Sequence, residues 1–597
     1  MQTAEMRQIR VAVAAGEIGR RVMTGRHICE RTGRRGRGPV RDGDAQPDVG
    51  GEAQVNRWPR RWMIIAAAVC ALAAACGRSA NSSPGDVSPT KGLTAITPAG
   101  TKPVSSVVWA TNRDVISLDP IFTFGFPDST AVSLMCEALL RQAPDGSLEP
   151  GLATVANPSP TRLVFTLRPE VRFWDGHPVT PADVVYSLDR NINPKLGGFY
   201  GPVFDRVASI TATSQNQVTI NLKQPDYWLE GELSSPPGIV IEKSFAQKEG
   251  ANYGTPDGGT MCAGPYMLKS WTPGVGVVAV RNPRYWNPAV HPLVGQITIK
   301  GVPNIATLTA GLETGATQGA YVTSNSTLAQ LRHSGTVKVY LGPGWTTDVF
   351  QVTSLKGVLG DLNVRRALSL ALNRQAIISS VYQGAALMPR WLSNPGTFGY
   401  GKPVFAKAYA SSPVLTQNIA QARKLVKQAG ATGKTITIGT TSQLAVIAAD
   451  TGAYQAAAQA IGLKVVLKSV SAQNFDQFFA DPKFRAGIDG VPTPTFGDYA
   501  DPAALLNQVV LPGGVQNFDG FNDPAITAAL EQARSTASPA KRAALVAKAE
   551  KLTMQQLPCI PAVQPDTVLV LGKGLTGAVS SSAYLYSPWA NRLGGTG

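Results

Sequence analysis

The chain has 597 residues, more than one ordinary domain holds and enough for two or three. Its 44% hydrophobic and 16% charged residues exclude a disordered polymer, and 44 Pro with 60 Gly imply many turns between short elements. The formal charge of +16 raises nucleic-acid binding, but residues 1–62 carry +6 of it and the body has neither a Lys/Arg run nor aromatic–basic alternation, so no nucleic-acid partner is expected.

Residues 1–54 are rich in Arg and Gly and have little apolar periodicity. They read either as a start codon assigned too early or as a cytoplasmic appendage. Residues 1–62 are accordingly taken as extension and signal n-region, with Arg57, Arg60 and Arg61 as its positive charges. Met63 to Ala75 is an apolar run of thirteen residues, short for a bilayer span but right for a signal h-region. Ala73, Ala74 and Ala75 precede Cys76, so residues 63–76 resemble the signal and lipobox of bacterial lipoproteins, with Cys76 as the lipidated residue. Residues 77–103, rich in Ser, Gly, Pro and Thr, read as a flexible tether. The expected location is the cell envelope, lipid-anchored to the outer face of the cytoplasmic membrane.

In the body, "TRLVFTLRPEVRFWDG" alternates apolar and polar residues as a half-buried hairpin does, and "QVTINLKQP" does the same. At the end of the first, Asp175-Gly176 predicts a turn that leaves His177 facing solvent. Thr180, Pro181 and Asp183 then predict a capped helix start, with Asp in the place usually held by Glu in a capping box. "GPYMLKSWTPGVGVVAVRNPRYW" reads as two strands around a Gly/Pro turn. Farther on, "NIAQARKLVKQAGATGKTITIGTT" and "YQAAAQAIGLKVVLKSV" each give helix, glycine stop, then strand, the pattern of a layered α/β domain. Asp523 and Ser538, each followed by Pro, predict two further helix starts.

Catalytic motifs are missing: no HExxH, no GxxxxGK[ST], no GxSxG, and no GxGxxG opening a helix after a strand. His27, His177, His291 and His333 offer no metal-ligand pair on one helix, and the six cysteines form no CxxC. Neither an enzyme nor a metal site nor a cofactor is expected. A secreted hydrolase, its catalytic residues brought together from distant positions, remains the alternative from another class.

"LRPEVRFWDGHPVTPADVVYSLDR" resembles the signature "F.DG.P.TA.DV..S..R" of family-5 extracellular solute-binding proteins, the dipeptide- and oligopeptide-binding receptors of ABC importers. "MCAGPYMLKSW", "RNPRYW", "LNVRRALSLALNRQAIISSVYQG", "GDYADPAALL", "NFDGFNDPAITAALEQA" and "LPCIPAVQPD" follow in the family's order, covering the chain from about residue 104 to its end. The resemblance implies an α/β, bilobed periplasmic-binding-protein type II fold with an extra third domain. Domain I spans 104–144, 251–343 and 560–597, domain II 145–250, and domain III 344–559. It further implies a monomer that binds a short peptide and delivers it to ABC permease and ATPase subunits. The same fold also hosts haem, nickel complexes and oligosaccharides.

In peptide-binding relatives, the Asp that opens "D-Y-x-D-P" pairs with the ligand's α-ammonium group, and the matching residue is Asp498. A carboxylate closed into a cleft selects such a cation strongly; the plainer reading makes Asp498 and Asp501 caps of the helix that begins near Pro502. Thr495, Phe496, Gly497 and Tyr499 accompany Asp498 in the expected ligand segment. Pro494, which has no N–H to donate, implies either a shortened strand-like pairing with ligand or a different ligand. A second ligand-facing loop is expected at Phe124, Gly125 and Phe126, whose aromatics serve equally as core. "TSQLAVIAADTGAYQAAAQA" lacks the Arg with which dipeptide receptors hold a ligand carboxylate, which favours longer peptides or another ligand. Cys136, Cys262 and Cys559 are all expected in domain I, Cys559 at its border with domain III, with Cys136–Cys262 the expected disulfide and the remaining thiol buried.

Overall fold

The computed structural model describes residues 92–597, apart from 443 and 472–474. The extension, the signal segment, Cys76 and tether residues 77–91 lie outside the described residues. Among those described, no helix is long and apolar enough to cross a membrane.

Three sheets organise the chain. A seven-stranded sheet is centred on Val104–Thr111, which pairs in parallel with Val294–Gly301 on one side and Gly319–Val322 on the other. Gly276–Arg281 and Tyr266–Thr272 extend one flank as the hairpin read from "GPYMLKSWTPGVGVVAVRNPRYW". Thr567–Gly572 and Val337–Gly342 close the other. A four-stranded antiparallel sheet runs Ala153–Ser159, Arg162–Leu167, Gln217–Leu222, Val207–Ala212. Of the stretch read as one hairpin, only Arg162–Leu167 is a strand of this sheet; Arg172 and Pro178 form an isolated bridge instead. A six-stranded sheet runs Ala386–Leu387, Cys559–Pro565, Thr347–Val352, Gly490–Thr495, Thr435–Thr440, Lys464–Ser469. Its last two members are the strands that follow the two helix–glycine signals, and they pair in parallel. The fold is mixed α/β, as expected.

The chain passes between the two large sheets twice, after Gly342 and after Pro565. The six-stranded sheet therefore continues to Pro565, past the expected boundary at residue 559. Cys559, expected with the other two cysteines in domain I, instead begins the strand Cys559–Pro565 of that sheet. It is a buried free thiol beside the Gln351 side chain, while Cys136 and Cys262 form a disulfide.

The tether reading is corrected for its last part. Thr97 donates its backbone N–H to Ala578, Gly100 to Arg592 and Thr101 to Gly595, so residues 94–102 are docked on the C-terminal segment. Polar composition suggested a linker, but backbone groups pair whatever their side chains are.

The Asp-Gly-His turn closes when Phe173 donates to the His177 carbonyl, with Gly176 at φ +101. The His177 ring is 70% exposed and lies 2.9 Å from both Asp175 and Glu242. At the next helix, Pro181–Ile192, the Asp183 carboxylate accepts from the Thr180 N–H at 2.9 Å and the Thr180 hydroxyl accepts from the Asp183 N–H. The helix buries Val184 and Leu188 against Phe165, Val218 and Ile220 of the four-stranded sheet. Thr180→Ala removes half of this cap and is expected to cost about 1 kcal/mol, read as a lowered urea midpoint with unchanged slope.

Candidate ligand-binding site

The strand Gly490–Thr495 pairs antiparallel with Thr347–Val352 along its whole length. Among the described residues, its other edge is paired only where Gly490 meets Ile438. Residues 491–495 thus present an open edge. Pro492 and Pro494 remove two N–H donors from it, so what the edge offers is mainly carbonyl acceptors.

A cavity of about 120 Å³ opens beside this strand. Phe124, Phe126, Phe199, Phe475, Phe479 and Phe496 line it, with Asp498, Gln508 and Gln516 as polar groups. Phe126 stacks on Phe496 at 5.1 Å and Phe124 on Phe199 at 5.0 Å, so residues distant in sequence form paired aromatic walls. A larger cavity of about 420 Å³ shares Phe199, Asp498 and Gln508 with it. A smaller one of about 70 Å³ shares Phe126, Leu444 and Pro494 and reaches Asp348, Tyr382 and Asp566. The aromatic cavity is the middle of the three. Among the described residues, no His or Cys lines any of them.

Asp498 stands where the middle and larger cavities meet and is only 7% exposed. One carboxylate oxygen accepts from the Tyr586 hydroxyl at 2.6 Å, the other from the Gln508 amide at 3.1 Å. Its backbone is fixed separately: the Gln142 amide donates to the Asp498 carbonyl and accepts from the Ala500 N–H, both at 3.0 Å. Burial pushes the Asp498 carboxyl up to about 6, against the pull of its two donors. Both donors are neutral, and among the described residues Asp498 takes part in no ion pair. At the far end, burial likewise raises Asp566 to about 7.

Six of the eight residues expected at a ligand site line the middle cavity: Phe124, Gly125, Phe126, Thr495, Phe496 and Asp498. Gly497 and Tyr499 do not line any of the three. A Cβ on Gly497 would lie 2.5 Å from the Ala504 Cβ and 2.9 Å from the Leu505 nitrogen, so this glycine lets the chain pass against the helix Pro502–Val510. The Tyr499 ring lies within the core against Gly231. Gly125 has a second role: its missing Cβ leaves room for Arg113, whose guanidinium reaches Asp128 at 2.7 Å. Asp501 caps the helix at Pro502 by accepting from the Ala503 N–H at 2.8 Å.

Sequence reasoning missed Gln508, Gln516, Phe199 and Tyr586. Phe475 and Phe479, one helical turn apart, were the pair that periodicity could have flagged. Away from these three cavities, Asp175, His177 and Glu242 bring potential metal-ligand atoms within 4.8 Å of one another. Gly497→Ala is expected to lower stability by about 1–3 kcal/mol through overpacking and to displace Asp498, seen as a lower denaturant midpoint together with weakened ligand binding.

The match to known proteins is consistent with this geometry. The model of bacterial extracellular solute-binding proteins, family 5, matches residues 147–517. The periplasmic oligopeptide-binding protein OppA of Escherichia coli is 25% identical over 495 residues, covering 77% of this chain and 87% of its own. Among solved structures, the periplasmic binding protein DppA of Helicobacter pylori in complex with peptide STSA superposes with a TM-score of 0.73 at 19% identity, covering 83% of this chain and 99% of its own. The binding protein AgaA of A. tumefaciens R10 in complex with agropinic acid gives the same TM-score, identity and coverage. The chain belongs to the family-5 extracellular solute-binding proteins of ABC importers, and its fold is the type II periplasmic-binding-protein fold.

Proposed function

We propose that this family member captures short peptides outside the cytoplasmic membrane, as a lipid-anchored monomer, and delivers them to an ABC permease driven by ATPase subunits. The observation that carries the reading is Asp498: a buried carboxylate with neutral donors only, at the cavity junction beside an open strand edge. An α-ammonium group supplies the missing positive charge, and the peptide's N–H groups meet the carbonyls of residues 491–495. The phenylalanine walls take side chains without selecting among them. The mapped three-domain division, with the two crossings after Gly342 and Pro565 as hinge, supplies closure around the ligand.

Native mass spectrometry of the purified protein is expected to show bound peptide masses; a haem, nickel complex or oligosaccharide overturns the peptide assignment. Asp498→Ala is expected to weaken free-amine peptides by about tenfold or more while leaving N-acetylated peptides as they were. Because the ammonium pairs with the ionised form, affinity for a free-amine peptide should fall as pH drops through about 6, and fall again as pH rises through about 8, where the α-amino group loses its proton. An N-acetylated peptide should show no such step. Equal effects of the substitution on both peptide forms reject Asp498 as the anchor.

For the anchor itself, Cys76→Ser is expected to abolish labelling by a fatty-acid probe and move the protein from the membrane to the soluble fraction. Unchanged labelling rejects Cys76.

A further inference from the structure

We infer that Glu232 is a second cation-binding carboxylate of the cleft, so that preferred ligands carry a basic side chain on the residue whose α-ammonium group meets Asp498. The inference rests on the peptide reading above and narrows it to a class.

Glu232 ends the short helix Leu229–Glu232, is 7% exposed, and lines the 420 Å³ cavity together with Asp498. Asp205 and Glu531 line the same cavity, but each has its cation. Arg534 holds Asp205 at 2.6 and 3.1 Å and the buried Asp226 at 2.6 Å, and Arg206 holds Glu531. Arg534 is thereby committed to two carboxylates. For the Glu232 carboxylate, no hydrogen-bond or ion-pair partner is found among the described residues; the Ser235 hydroxyl near it donates to the Glu232 backbone carbonyl instead.

A carboxylate largely withdrawn from water and without a donor is costly to ionise, and a cation brought to it offsets that cost. Loss of solvent and the neighbouring Asp498 charge both raise the Glu232 carboxyl well above its ordinary value. Two acids sharing one cavity, with every nearby arginine already paired, are complementary to a ligand with two positive centres. Asp498 also faces the middle cavity. A peptide whose α-ammonium rests on Asp498 can therefore run its chain along residues 491–495 while its first side chain enters the larger cavity toward Glu232. A lysine, ornithine or arginine side chain supplies both the apolar stem and the terminal donors.

The test compares Lys-Ala-Ala with norleucine-Ala-Ala by titration calorimetry on the wild-type chain and on Glu232→Gln. Norleucine keeps the four-carbon stem and lacks the charge. The wild type is expected to favour the lysine peptide by about tenfold or more, and Glu232→Gln to bring the two within about twofold by weakening the lysine peptide alone. Equal wild-type affinities overturn the inference while leaving the peptide reading intact, and this comparison needs no variant to fold. A lysine preference that survives in Glu232→Gln overturns the assignment to Glu232. Failure of the wild type to bind either peptide overturns the peptide reading and this inference with it.

Discussion

Withdrawing Asp498 from water is the constraint around which the cleft is arranged. Three distant parts of the chain converge on it: the C-terminal segment through Tyr586, the helix Pro502–Val510 through Gln508, and the strand Leu140–Gln142 through Gln142. Neutral donors orient the carboxylate without neutralising it. The unpaired charge costs several kcal/mol in a dry site, and two hydrogen bonds offset part of that. On the proposed reading, a ligand cation offsets what remains, so the carboxylate selects for charge.

Buried polar groups elsewhere show how differently the framework is treated. Arg374, wholly enclosed, donates to the Ser369 carbonyl and hydroxyl and to the Pro561 carbonyl. Glu550, equally enclosed, accepts the N–H groups of Leu392 and Ser393. These residues fix loops to helices and have partners within the chain, as buried polar groups ordinarily do. Trp109, Tyr321, Tyr584 and Trp589 stack where the C-terminal segment returns to the seven-stranded sheet, the side from which Tyr586 reaches Asp498. Satisfaction is not universal in the framework, where Trp109 Nε1 and one Asp450 carboxylate oxygen are buried without a partner; what sets Glu232 apart is that it lines the cavity it shares with Asp498.

What the sequence disclosed divides along the range of the interactions. The caps at Thr180, Asp501, Asp523 and Ser538 were legible because each is settled within three or four residues. The parallel strands Thr435–Thr440 and Lys464–Ser469 were legible from helix stops at Gly430 and Gly462. The family motifs gave Asp498 and the Phe124–Phe126 loop, yet they brought Gly497 and Tyr499 along, since a motif does not say which neighbours turn toward the cleft and which toward Ala504 or Gly231. Gln508, Tyr586 and Glu232 carry no local pattern at all. Their roles arise only when sheets and helices far apart in sequence enclose one space. The docking of residues 94–102 was hidden for the same reason: its bonds are made by backbone groups with partners near the other end of the chain.

Charge along the three cavities is one-sided. The lining arginines, Arg113 and Arg534, are already paired with Asp128 and with Asp205 and Asp226. The far cavity holds Asp348 and Asp566, both shifted upward by burial. On the proposed reading, a peptide fixed by its amino end at Asp498 meets for its terminal carboxylate, among the described lining residues, only arginines already committed to carboxylates. Lengthening the peptide by a residue moves that carboxylate without losing a contact, whereas losing the amino charge removes the principal one. On that reading the cleft selects the beginning of its ligand and leaves the length unmeasured. The missing arginine in "TSQLAVIAADTGAYQAAAQA" points the same way, because a receptor that fixes both ends of a dipeptide needs a cation where this chain offers aromatic and acidic surface.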